Sequence, residues 1–153
     1  MIIPAHDESA SIRRCLDALF AGVAPAELDV IVVCNGCSDD TAALARTSGH
    51  PVRVIELEAA SKPAALRAGD EAALALPRIY LDADVVLQGT AALAVLERLR
   101  SGAVAARPPI SYDSGASSAP VRSYYRARWR FPGRTRATSR CNRTTRRGGG
   151  RCI

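Results

Sequence analysis

The stretch Leu28-Asp29-Val30-Ile31-Val32-Val33 constrains the fold of this chain more than any other. It is a nearly continuous β-branched run, short for a helix and apolar on alternate and adjacent positions alike, the pattern of a strand covered on both faces in a parallel sheet. The flanking sequence supplies the crossovers that such a sheet needs. Upstream, Ile2-Ile3 reads as the tail of a strand stopped by Pro4. Ile12, Cys15, Leu16, Leu19 and Phe20 then recur at spacings of three and four, predicting a helix with Ser9 or Ser11 near its start and Gly22 past its end. Downstream, Ser38-Asp39-Asp40-Thr41 offers a capping side chain and two acids to a second helix that runs to about Gly49. Val52 to Leu57 reads as a third strand, and Ser61-Lys62-Pro63 starts a third helix reaching Leu74, with Pro at its first position. Ile79-Tyr80-Leu81 reads as a fourth strand. Thr90 caps an Ala/Leu-rich helix to about Arg100, and Ala103-Val104-Ala105 is a weaker fifth strand. The expected class is α/β, a parallel sheet flanked by helices, with its ligand site at the carboxyl ends of the strands.

Composition matters chiefly through its asymmetry. Residues 1–100 hold 9 Lys and Arg against 14 Asp and Glu, whereas residues 101–153 hold 12 against 1. The formal net charge of +6 therefore belongs to the C-terminal third, beside a mildly acidic body. A hydrophobic content of 48% supports a packed core and excludes a wholly disordered chain. No run approaches the roughly 18 apolar residues of a membrane span. Met1-Ile2-Ile3-Pro4-Ala5 lacks a signal-peptide pattern, so a cytoplasmic location is expected. Five irregularly spaced cysteines argue against a disulfide framework. Cys34-Asn35-Gly36-Cys37 is formally C-x-x-C: a redox pair, half of a zinc site, or two small residues flanking a turn.

Past Arg107 the alternation decays. Residues 107–133 read as a linker or partial element. Residues 134–153 contain seven Arg, no acid and only Ala137, Cys141, Cys152 and Ile153 as apolar residues, and are expected to be disordered. Tyr124, Tyr125 and Trp129 interleaved with arginines raise an alternative function, binding of nucleic acid or another polyanion through the Arg-rich segment. The arginines follow no periodic face, which favours a solvated tail without a specific nucleic-acid partner.

If the strand ends converge, Pro4-Ala5-His6-Asp7-Glu8, Asn35-Gly36-Cys37-Ser38-Asp39-Asp40 and Asp82-Ala83-Asp84 meet at one edge of the sheet. Alternate carboxylates at Asp82 and Asp84 can hold a hard divalent cation, which would neutralise a leaving phosphate. The plainer account is a turn with a helix-capping acid.

These segments together resemble family-two inverting glycosyltransferases of the GT-A fold. Ile2-Ile3-Pro4-Ala5-His6-Asp7-Glu8 is similar to the family's I-I-P-A-Y/H-N-E opening. Val32-Val33-Cys34-Asn35-Gly36-Cys37-Ser38-Asp39-Asp40-Thr41 is similar to V-V-D-D-G-S-x-D-x-T, Lys62-Pro63-Ala64-Ala65-Leu66-Arg67-Ala68-Gly69 to G-K-x-x-A-L-N-x-G, and Asp82-Ala83-Asp84 to D-x-D. The order and spacing hold over residues 1 to about 106. The resemblance implies a Rossmann-like GT-A half-domain over 1–106 that binds a nucleoside diphosphate sugar, a UDP- or GDP-sugar, in a metal-dependent, hexosyltransferase-type enzyme with an unknown acceptor. Pro4, Ala5 and Glu8 would border the nucleoside, with Asn35 against the base and Lys62 near the nucleotide. Asp82 would contact ribose or metal, and Asp84 would ligate Mg²⁺ or Mn²⁺, with Ala83 between them. His6 falls at the Tyr/His position beside the nucleoside, and no partner carboxylate at triad spacing marks it as a base. Asp7, the Cys34-Asn35 pair and Pro63 depart from the commoner family residues.

Inversion also requires a general base on the acceptor hydroxyl. After Asp84 only Glu97 and Asp113 are acidic, and neither matches a family motif, so the catalytic base is unassigned. The composition of about residues 130–153 leads to the expectation of a truncated or frame-shifted acceptor half, and the short first strand to an upstream start. Peripheral membrane association is expected for a full-length enzyme.

Overall fold

β-branched residues at consecutive positions can all be buried only if both faces of their strand are covered, and β2 (Val30–Asn35) meets that condition, with all six residues buried. The computed structural model describes residues 1–109, 118–121 and 123. The chain divides into a unit Met1–Pro109 and a unit Ile110–Ile153. In the first unit the elements in order are β1 (Ile2–Ala5), α1 (Ile12–Phe20), β2, α2 (Thr41–Arg46), β3 (Val52–Leu57), α3 (Lys62–Ala72) and α4 (Gly89–Arg100), with a 3₁₀ turn at Pro25–Glu27. The strands form a parallel sheet in the order β1-β2-β3, with Ile3 opposite Val32 and Val32 opposite Val54.

The two-residue period of β2 divides the core. Val30, Val32 and Cys34 join Ile3, Ala5, the α1 residues Ile12, Cys15, Leu16, Leu19 and Phe20, and Ala42, Ala45 and Ala92 of α2 and α4. Ile31 and Val33 point to the other face and pack with Ala65 of α3. The five apolar positions that predict α1 are its five buried residues. Ser61 caps α3 by accepting from the Ala64 N–H at 3.3 Å, and Pro63 stands in its first turn. Close packing on this face depends on Gly69, where a Cβ would collide with Ile2 Cγ2.

Several boundaries differ from the sequence reading for physical reasons. Pro4 does not stop β1, which continues to Ala5. Parallel pairing turns successive residues to opposite sides. Ile2 donates to the Ile79 carbonyl at 2.9 Å and accepts from the Leu81 N–H at 3.0 Å, so Pro4, two residues on, faces the same neighbour without an N–H to give. The expected fourth strand is accordingly a single bridge, Ile2 with Tyr80. Thr90 is not a cap, because α4 begins at Gly89, where a Cβ would strike the Leu19 carbonyl and Val23. Nor is Ala103–Ala105 a strand. The Ala103 N–H bonds to the Arg98 carbonyl at 3.1 Å and the Gly102 N–H to that of Leu99 at 3.1 Å, with Gly102 at φ 98°, so these residues wrap the end of α4 in a Schellman motif. α2 ends at Arg46 and α3 at Ala72, earlier than expected. The Arg-rich stretch 134–153, the aromatic residues Tyr124, Tyr125 and Trp129, and Asp113 lie outside the described residues.

Candidate functional site

Parallel strands expose their final carbonyls and the loops that follow them along one edge, and the segments singled out by the sequence are those loops. A cleft of about 230 Å³ at this edge is lined by Pro4, His6, Glu8, Asn35, Lys62, Asp82, Ala83 and Asp84. Of the residues expected at a nucleotide site, only Ala5 is missing from the lining. It is 1% exposed and acts through its carbonyl, which accepts from Asn35 Nδ2 at 2.8 Å.

That bond explains Asn35. At 4% exposure its amide is largely occupied in tying the end of β2 to the end of β1. His6 Nδ1 lies 2.7 Å from the Asn35 carbonyl, so Nδ1 carries the proton and Nε2 is left free, 3.9 Å from an Asp7 oxygen. After Asn35 the chain must turn sharply. Gly36 adopts φ 60°, donates to the Leu57 carbonyl at 2.8 Å, and passes so near the next loop that a Cβ would lie 2.6 Å from the Ala60 nitrogen.

The loops after β1 and β2 are held together by acids. Asp7, at φ 52°, accepts from the Ser38 N–H at 2.7 Å. Asp39 Oδ1 accepts from the Thr41 N–H at 3.0 Å and from the Thr41 hydroxyl, and Oδ2 accepts from the Ser9 N–H at 3.0 Å. Thr41 in turn accepts from the Glu8 N–H at 2.8 Å. The hydroxyl of Thr41 and the other donors around it hold the Asp39 carboxyl well below the usual carboxylate range. Sequence reasoning takes Asp39 and Asp40 as helix-start acids and misses this loop-to-loop role. The Asp39-x-Thr41 spacing signals only the local bonds between these two residues.

Asp7, Cys37 and Asp39 place ligand atoms within 4.8 Å of one another, a grouping able to hold a metal ion. Both carboxylates are already used by loop donors, which accounts for the cluster without an ion. Asp82 and Asp84 are different. Buried Ala83, at 2% exposure, lies between them, and both acids are exposed and line the cleft. The Val85 N–H donates to the Asp82 carbonyl at 3.0 Å and closes the turn. Two hard oxygen donors on a solvent-facing turn, with room for waters, fit Mg²⁺ or Mn²⁺. Lys62 Nζ donates to Asp82 Oδ1 at 2.6 Å. Glu97 is exposed on α4 and is not part of the lining.

Of the C-x-x-C thiols, Cys34 is buried and Cys37 half-buried, and both are free. Burial, with Cys37 alongside, pushes the Cys34 thiol up to about 12, and burial pushes Cys15 up to about 11.

A parallel sheet with helices on both faces and a polar, acid-lined cleft at its carboxyl edge defines a Rossmann-like fold of the GT-A type. The chain belongs to glycosyl transferase family 2, whose family model matches residues 1–152. It is thus a glycosyltransferase by class, and the matched range takes in the arginine-rich stretch. No curated protein matches the chain. Among the described residues, no helix is long and apolar enough to cross a membrane.

Proposed function

We propose that the cleft binds the nucleoside diphosphate portion of a UDP- or GDP-sugar, and that the enzyme transfers the sugar with inversion to a hydroxyl acceptor. The observation that carries this reading is convergence. Residues from four separate segments, around Pro4, Asn35, Lys62 and Asp82, line one cleft at the strand ends. Pro4, His6 and Glu8 form the wall toward the nucleoside. Asn35, anchored through Nδ2, keeps its Oδ1 as an acceptor for a base edge. Lys62 is the one Lys or Arg in the lining and serves the diphosphate. Asp82 and Asp84 would hold Mg²⁺ or Mn²⁺, which neutralises charge on the leaving diphosphate.

Calorimetric titration of the full chain with UDP and with GDP, with and without Mn²⁺, tests this. Metal-dependent binding is expected, and Asp84→Ala should abolish its metal dependence. A cooperatively melting chain that binds neither nucleotide would overturn the proposal.

A further inference from the structure

The cleft sets three carboxylates, Glu8, Asp82 and Asp84, against one ammonium. That balance attracts a divalent cation and repels a diphosphate, so the whereabouts of the Lys62 charge decides which ligand the cleft accepts. Lys62 is the first residue of α3, its backbone fixed by the Ser61 cap, while its four-carbon stem is free to pivot. Its ammonium sits 2.6 Å from Asp82 Oδ1, with side-chain exposures of 59% and 55%. An ammonium there occupies Asp82 Oδ1, one of the two oxygens this carboxylate can offer a cation.

Resting on the donor-site reading, we infer that Lys62 is an exchangeable counter-ion. It caps Asp82 until a nucleoside diphosphate draws its ammonium away, and only then is the Asp82–Asp84 pair fully open to a divalent cation. Three physical points carry this. An ion pair exposed on both sides is weak and easily separated. Two cations on one carboxylate repel, so the cap and a divalent ion compete. A diphosphate gives the displaced ammonium a new partner of higher charge, so nucleotide and cation strengthen each other's binding, and by linkage they do so reciprocally. Lys62 is thus a positioning residue whose effect is read in the coupling of two ligands.

The test is Mn²⁺ binding to the full chain, followed by the electron paramagnetic resonance of free Mn²⁺, with and without UDP or GDP. Wild type, Lys62→Gln and Lys62→Arg are compared after a thermal melt shows each to be folded. Lys62→Gln should bind Mn²⁺ alone about three- to tenfold more tightly than wild type. The nucleotide enhancement of Mn²⁺ affinity should be about three- to tenfold smaller in that variant than in wild type, leaving the direct attraction of the ion to the diphosphate, while Lys62→Arg should keep the wild-type coupling. If wild type shows nucleotide-coupled Mn²⁺ binding and Lys62→Gln leaves the affinity for Mn²⁺ alone unchanged or weaker, the exchange is wrong and the donor site stands. If no variant binds Mn²⁺ or nucleotide, the donor site itself fails, and the exchange with it.

Discussion

The Asn35 side chain donates to the Ala5 carbonyl at 2.8 Å, so the ends of β1 and β2 are joined by a side chain as well as by their ladder. Removing it with Asn35→Ala should cost about 1 kcal/mol of stability, the ordinary net worth of one neutral hydrogen bond. Asn35→Asp should cost more at neutral pH, because a buried carboxylate would face a carbonyl oxygen. Its folded-state pKa would be raised, so the variant's deficit against wild type is smallest below about pH 4 and grows as the pH rises toward that raised value. Melting temperatures from pH 4 to pH 7 check this, and a gap to wild type that does not widen would contradict it.

Gly36 and Gly49 both have positive φ, of 60° and 82°, but only Gly36 has backbone pressed against it. Gly49→Ala should therefore cost about 1 kcal/mol, from conformation alone. Gly36→Ala should cost roughly 1–3 kcal/mol beyond that, because the Ala60 backbone must move. Equal losses in urea unfolding would mean that the loop after β3 gives way freely.

The depressed carboxyl of Asp39 has a definite pH signature. Its contribution is fully present above the unfolded value of 3.8 and fades as the pH falls below that toward the lower folded value. The melting-temperature difference between wild type and Asp39→Asn should be constant from pH 7 to about pH 5 and shrink below pH 4. A difference as large at pH 2 as at pH 7 would assign the effect to packing.

Thiol chemistry separates the cysteines. With Cys34 and Cys15 buried and their ionisation raised to about 12 and 11, iodoacetamide at pH 8 should modify Cys37 well before either, as read by peptide mass spectrometry. Both raised thiols add stability that is complete below pH 9.0 and is lost as the pH climbs through their folded values. Native-state labelling of Cys34 as fast as Cys37 would refute the burial argument.

What could be read in advance was periodic or modular. The β-branched run of β2, the three-and-four spacing of α1 and the start of α3 at Ser61-Lys62-Pro63 are local signals, and each appears where expected, except that Lys62 and not Pro63 is the first residue of α3. Strand ends in a parallel sheet must meet, which brings Glu8, Asn35 and Asp84 to one cleft without knowledge of any distance, whereas Lys62, on a helix, is singled out only through the family resemblance. The misses depended on contacts between distant segments. Nothing near Thr90 indicates that Gly89 has to fit against Leu19 and Val23. The apolar triplet around Val104 looks like a strand until the Schellman bonds at the end of α4 claim its first residue. The bonds of Asp39 to Ser9 and of Thr41 to Glu8 cross some thirty positions, beyond the reach of any local pattern.

Pro4 has a consequence at the other side of the cleft. Because it offers no proton to the strand beside it, the segment after Leu81 leaves the sheet one step before Asp82 and enters its turn unpaired. An ordinary residue at that position would have an N–H to offer the Leu81 carbonyl, the bond that a further rung opposite Asp82 would use. One imino acid on β1 thus works as a length stop for its neighbour, and the place where the acidic turn begins is set on a strand that carries neither carboxylate.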